Sequence, residues 1–124
     1  MLREWLAVAV GGLVGTVLRH GTVGLFAIIG NSWMPVATLV VNLMGCFAIG
    51  YLAQWSSAQN LTHHWWVVGL RAGVLGGLTT FSSFGLDVVR LWQTARPEVA
   101  IGLAAAHVLL GIGAVVAGMH LASS

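Results

Sequence analysis

A chain of 124 residues that is 58% hydrophobic and only 6% charged cannot cover itself with a wet surface, since a soluble domain carries roughly 25% charged residues. It is expected to be an integral membrane protein. The net charge of +2, with every basic side chain an Arg and no basic run, argues against a nucleic-acid partner, and the lone Cys46 leaves no disulfide framework or thiol metal cluster.

Four apolar stretches follow in order, at about 5–26, 36–53, 65–92 and 99–120. They predict one all-α domain of four transmembrane helices. Arg3 ahead of the first run imitates a signal peptide. The run is too long for one, however, and leads to Arg19 and His20 instead of a cleavage site. A retained first span is expected. Within it Gly11 and Gly15 have the small-xxx-small spacing that lets a neighbouring helix approach. Gly30, Asn31 and Ser32 are expected to form a turn, and Pro35 suits the first turn of the second helix.

The second stretch carries Thr38 and Asn42, four residues apart and so on one helical face that Gly45 continues. Trp33, Tyr51 and Trp55 are placed as aromatic interface markers. The segment from Ser56 to His64 reads as a short polar loop.

The third stretch holds the most informative sequence, Gly76-Gly77-Leu78-Thr79-Thr80-Phe81-Ser82-Ser83-Phe84. Gly69, Gly73 and Gly77 make a smooth stripe before it. The parts on either side are each too short to cross a core roughly 30 Å thick. Together they are expected to make one span broken in mid-membrane. Backbone freed there must be buried in protein or line a cavity, because lipid offers it no hydrogen bonds. Such a break is the natural place for an ion site. Asp87 and Arg90 are expected near the mouth. In the fourth stretch Pro97 and Glu98 suit the first turn, and one face carries Ala104, His107, Gly111, Ala114 and Gly118.

Four spans put both termini on one side. The Arg count differs between the sides by about one, which is too little to fix an orientation. Insertion both ways, and an antiparallel pair of copies, is one consequence.

The chemistry-bearing residues gather around the break. Asn42 is either interhelical glue or an amide donor to a passing anion. Thr79, Thr80, Ser82 and Ser83 exceed the usual back-bonding of hydroxyls in membrane helices. Ser82 and Ser83 are expected to cap the second half-helix, whose N-terminus carries partial positive charge. Phe81 and Phe84 can turn their positive ring edges toward an anion. Arg19 either snorkels to the interface or makes a positive vestibule. His107 is read first as an interhelical hydrogen-bonding residue, with a proton-linked role as the alternative. His63, His64 and His120 are expected at the interfaces, with no metal spacing among them. No Asp, Glu or Lys lies deep in a span, as proton-coupled cation export requires, and no nucleophile arrangement points to an enzyme. The inventory suits a small anion that must shed its water.

GGLTTFSSF at 76–84, Thr38-xxx-Asn42-xx-Gly45 and Gly11-Gly12-xx-Gly15-xxx-Arg19 together resemble the Fluc/CrcB family of bacterial fluoride channels over essentially the whole chain. The resemblance implies a dual-topology antiparallel homodimer in the bacterial inner membrane, with two fluoride pores. It also implies a structural Na⁺ at the dimer centre, held by backbone carbonyls matching Gly76 and Thr79. The pore phenylalanines match Phe81 and Phe84, and the pore asparagine matches Asn42. Ser82 and Ser83 match the hydroxyls after the first phenylalanine, with Thr38 and Thr80 as further polar pore positions. Arg19 matches the vestibule arginine. Two positions depart from the pattern. Asp87 stands where a glutamate is common, and the fourth span has His107 and Gly111 where a hydroxyl track is usual. The function implied is passive, selective export of fluoride. The alternative is a small dual-topology multidrug exporter, and a third reading is a non-transporting subunit of a membrane complex.

Overall fold

The structure is a computed structural model that describes residues 1–30, 34–94 and 96–124. Helix α1 spans Leu2–Ile29 and α2 spans Met34–Ala58, with Pro35 in its first turn as expected. The third rod starts as α3, Trp65–Val68. It widens without interruption into a π-helical stretch, Gly69–Leu75, and ends as α4, Gly76–Leu78. After Thr79 and Thr80 the chain restarts as α5, Phe81–Gln93. Helix α6 spans Pro97–Ser123 and begins on its proline. Four helical rods, the third counted as Trp65–Gln93, are long and apolar enough to cross a membrane. They overrun the expected apolar stretches by a few residues at most ends, because the amide ladder continues past the last apolar side chain. The expected turn at Gly30-Asn31-Ser32 and the marker Trp33 fall partly or wholly outside the described residues.

Two helix pairs make the frame, and small residues set both. Helix α1 lies on the first half of the third rod. A Cβ on Gly11 would stand 2.6 Å from the Gly69 carbonyl oxygen, one on Gly73 2.7 Å from that of Val8, and one on Gly77 2.6 Å from that of Gly12. These are backbone atoms, so the two rods touch main chain to main chain as the glycine stripe implied. Helix α2 lies along α6 in the same way. Gly50 faces the Val115 carbonyl and Gly118 faces that of Phe47. The fully buried side chains are therefore few and modest, with Val41 and Val67 the largest apolar ones. Many large apolar residues remain on the outside, among them Leu13, Leu25, Ile28, Leu109 and Ile112. A water-soluble domain would hide such surfaces, and a bilayer or a second copy covers them at no cost in hydration.

The π-helical stretch was not anticipated. A wider turn occurs mainly where a helix meets a functional site. Here it runs directly into the break.

Candidate anion site at the helix break

The break itself follows from where the backbone hydrogen bonds go. Thr79 N–H still bonds back to the Leu75 carbonyl at 3.0 Å, and the Thr79 hydroxyl bonds the same carbonyl at 2.9 Å. At Thr80 the ladder fails, with φ −151° and ψ 116°. Thr80 N–H donates to Asn42 Oδ1 at 2.7 Å, and Asn42 Nδ2 donates to the Thr80 carbonyl at 3.0 Å. One side-chain amide thus satisfies both main-chain groups of an extended residue that is 7% exposed. Unpaired, each group would cost about 1–3 kcal/mol.

The cap of α5 is Thr80, not Ser82 or Ser83. Its hydroxyl accepts from Ser83 N–H at 3.1 Å and donates to Ser83 Oγ at 3.1 Å. Ser82 Oγ lies 3.2 Å away. The correction has a simple cause. The helix resumes at Phe81, so both serines already sit in its first turn and the hydroxyl just ahead of them takes the capping role. The serines become donors on the cap instead. With the Thr80 proton committed to Ser83, Ser82 is the donor to Thr80, and the Ser83 proton is left over.

The carbonyls of Gly76 and Thr79 are among those that lose their helical donors in this arrangement. Thr80 N–H goes to Asn42 rather than back to Gly76, and Ser83 N–H goes to the Thr80 hydroxyl rather than back to Thr79. Gly76 is exposed and lies on the wall of the groove at the break.

A groove of about 350 Å³ runs along the break. Asn42, Gly76, Thr79, Thr80, Phe81 and Phe84 all lie on its wall, so most of the expected site residues are brought together. The two phenylalanine rings meet edge to face, with centroids 5.3 Å apart and planes at 64°. Phe81 is 82% exposed, which an apolar ring tolerates only against lipid or another chain.

The remaining expected residues are placed differently. Ser82 and Ser83 reach the groove only through Thr80. Thr38 sits one turn from Asn42 on α2, 5% exposed. Its hydroxyl donates to Asp87 Oδ2 at 2.7 Å. Asp87 is thus tied to α2 through Thr38, and with Arg90 and Arg96 it lines a second hollow at the end of the rod. Arg19 is half-buried on α1, away from the groove wall.

Sequence reading missed Arg71. It lies on the groove wall, which among the described residues holds no carboxylate. Positions 71, 75 and 79 step by four along one helical face, and that spacing was the available signal. Cys46 also lines the groove, as does His107.

The family model described as "CrcB-like protein, Camphor Resistance (CrcB)" matches residues 6–119. The chain belongs to the CrcB family. Three relatives share the name fluoride-specific ion channel FluC. That of Caulobacter vibrioides is 42% identical over 123 residues, covering 98% of this chain and 96% of the relative. That of Paracoccus denitrificans is 38% identical over 119 residues, with 96% and 94% covered. That of Aeromonas salmonicida is 37% identical over 123 residues, with 99% and 98% covered. These names describe ion channels and not enzymes. Membership of the family, with four rods fit to span a bilayer, makes this CrcB chain a multi-pass membrane protein.

Proposed function

We propose that the protein is a fluoride-selective anion channel that lets cytoplasmic F⁻ leave the cell passively and so relieves fluoride toxicity. The observation that carries this is the groove at the Thr79–Thr80 break, where the Asn42 amide and the Phe81 and Phe84 rings converge and no carboxylate of the described residues intrudes. HF crosses lipid as a neutral molecule and dissociates inside. The trapped ion is then pushed outward by an inside-negative potential. Fluoride is small and strongly hydrated, so a selective path must replace its water with fixed donors.

The chain supplies those donors at named atoms. Asn42 Nδ2 spends one proton on Thr80 and keeps a second for the groove. The positive edges of Phe81 and Phe84 add to it, while the proton left over on Ser83 stands behind Thr80, off the groove wall. Thr80 holds the cap in place, and Thr38 continues the polar face of α2 toward Asp87. Arg71 and Arg19 raise the local anion concentration from two sides.

The functional unit in this proposal is an antiparallel homodimer in the bacterial inner membrane, inserted in both orientations, with the break at mid-membrane. Supporting it are the near-balanced Arg distribution and the 82% exposure of Phe81, a ring that a second copy would cover. The carbonyls of Gly76 and Thr79 fit a structural Na⁺. Both have lost their helical donors, and unwound carbonyls are the usual ligands for such an ion at a helix break. Bound there, Na⁺ would offset the carbonyl dipoles of the facing breaks.

A small multidrug exporter would need a titratable acid among its transport residues, and the groove wall has none. The deciding experiment is efflux from liposomes holding only the purified protein, with F⁻ compared against Cl⁻. Rapid F⁻ efflux with negligible Cl⁻ efflux is expected. Equal rates, or none, would defeat the proposal, and none would favour a non-transporting subunit.

A further inference from the structure

His107 on α6 lines the groove and has a buried polar atom that finds no partner among the described residues. Its ring lies against Phe84, with centroids 4.3 Å apart and planes tilted by 33°. Nδ1 is 3.0 Å from the Leu103 carbonyl, one turn back. A carbonyl only accepts, so Nδ1 must carry the proton. In the neutral ring Nε2 is then a bare lone pair, and Nε2 is buried without any hydrogen-bond partner. Buried polar atoms are nearly always paired, so an orphan calls for an explanation.

The two charge states of the ring do opposite things to an anion. Neutral His107 presents a lone pair at Nε2, which repels an anion. Protonated His107 places an N–H donor and a full positive charge just behind that wall, against the Phe84 ring. No acceptor from the protein waits at Nε2. A small turn of the ring would bring that N–H to an anion in the groove.

We propose that His107 is a further anion-binding residue of this groove, active only when protonated, so that a proton on Nε2 and a fluoride ion beside Phe84 favour each other. The inference rests on the fluoride reading above and deepens it by making the path respond to pH. Charging an imidazole away from water is costly without a counter-ion, so charge and anion arrive together. The other ionisable groups do not supply this effect. From α2 the neighbour is Cys46, whose Sγ lies 3.6 Å from where a Cβ on Gly111 would stand. From α5 the acid is Asp87, already bonded to Thr38, and the base is Arg90, at the far hollow. From the π-helical stretch comes Arg71, which stays charged at any relevant pH. Imidazole is the side chain that ordinarily changes charge between about pH 5 and 8.

The test is the fluoride current of the purified protein in planar bilayers, at equal pH on both sides. HF is neutral and adds no current. The wild-type current is expected to rise roughly fivefold as pH falls from about 8 to about 5. His107→Phe and His107→Gln should each give a flat profile. A flat wild-type profile, or an unchanged slope in His107→Phe, overturns the inference while leaving the channel reading intact. A second measurement needs no transport and no folded variant. In detergent, the pH at which the His107 ring signal changes in NMR should rise when fluoride replaces chloride, since linked equilibria are reciprocal. No difference between the two halides would overturn it equally. Absence of fluoride current at every pH would instead strike the channel reading itself.

Discussion

The side chain of Asn42 pairs with both backbone groups of Thr80, receiving its N–H at 2.7 Å and giving a proton to its carbonyl at 3.0 Å. A residue from α2 thereby stands in for the helix bonds that the third rod has given up. Glue and site become the same thing here, because the pairing that holds the break open also fixes Asn42 Nδ2 at the groove.

Asn42→Ala should therefore lose structure as well as transport. Two buried main-chain groups would be left without partners, at about 2–6 kcal/mol in total. Thermal unfolding in detergent should show the loss. Asn42→Asp keeps the acceptor for Thr80 N–H but removes the donor and adds a negative charge to an anion path. Fluoride efflux from liposomes should vanish. Efflux at the wild-type rate in Asn42→Asp would take this residue out of the pathway.

Phe81 offers the complementary case. Its ring is 82% exposed, so Phe81→Ile should change the stability of the subunit fold by no more than about 0.5 kcal/mol. Transport should nonetheless drop sharply, because an aliphatic side chain has no positive edge. Phe84→Ile should do the same and also release His107, whose ring it covers. Normal fluoride efflux from the double variant would mean the rings are bulk and not ligands.

The glycine contacts between rods predict a steep contrast. Gly77→Ala and Gly15→Ala would each drive a methyl into backbone atoms of the facing rod. Backbone cannot swing aside, so each should destabilise by at least about 1–3 kcal/mol. Gly113→Ala has nothing within 4 Å to meet and should be neutral or slightly stabilising in a helix. Thermal melts of the three variants under one detergent condition compare them directly. Equal melting temperatures would show that the rods are not in main-chain contact.

The sodium proposal can be tested without mutation. If Na⁺ sits on the freed carbonyls of Gly76 and Thr79, exchanging it for a bulky organic cation should lower both fluoride flux and dimer retention on gel filtration. Indifference of both to the cation would remove the ion from the account.

What could be read from the sequence was whatever depends on periodicity and punctuation. Four rods, the glycine stripe at 69, 73 and 77, and the interruption before Phe81 all announce themselves along the chain. The polar face from Thr38 to Asn42 does too. What could not be read was partner choice across helices. Ser82 and Ser83 looked like caps because caps are hydroxyls near a helix start. Whether the helix resumes before or after them depends on Asn42, 38 residues away in sequence. Arg71 drew no site role because a charge near a span's end is normally drawn to water, whereas it lines the groove at the break. Asp87 has Arg90 at a helical spacing that suggests a pair, yet Thr38 on another rod is what it bonds. Such choices are tertiary, and a single sequence carries them only faintly.

The Thr38–Asp87 bond gives the last prediction. At 2.7 Å, with an acid as acceptor, it ties α2 to α5 near the end of the polar face. A hydrogen bond to a charged group contributes about 1.5–3 kcal/mol. Thr38→Val removes the donor and keeps the shape, while Asp87→Asn removes the charge and keeps an acceptor. Each single change should lower stability, Thr38→Val more, and in the double variant the losses should be less than additive. Fluoride flux should respond differently. Freed from Thr38, the Asp87 carboxylate becomes available at the end of the path, where it repels an anion. Thr38→Val should therefore reduce flux, and Asp87→Asn in the same chain should restore part of it. If the double variant carried less fluoride than Thr38→Val alone, the role of Thr38 would be direct contact with the ion and not restraint of the acid.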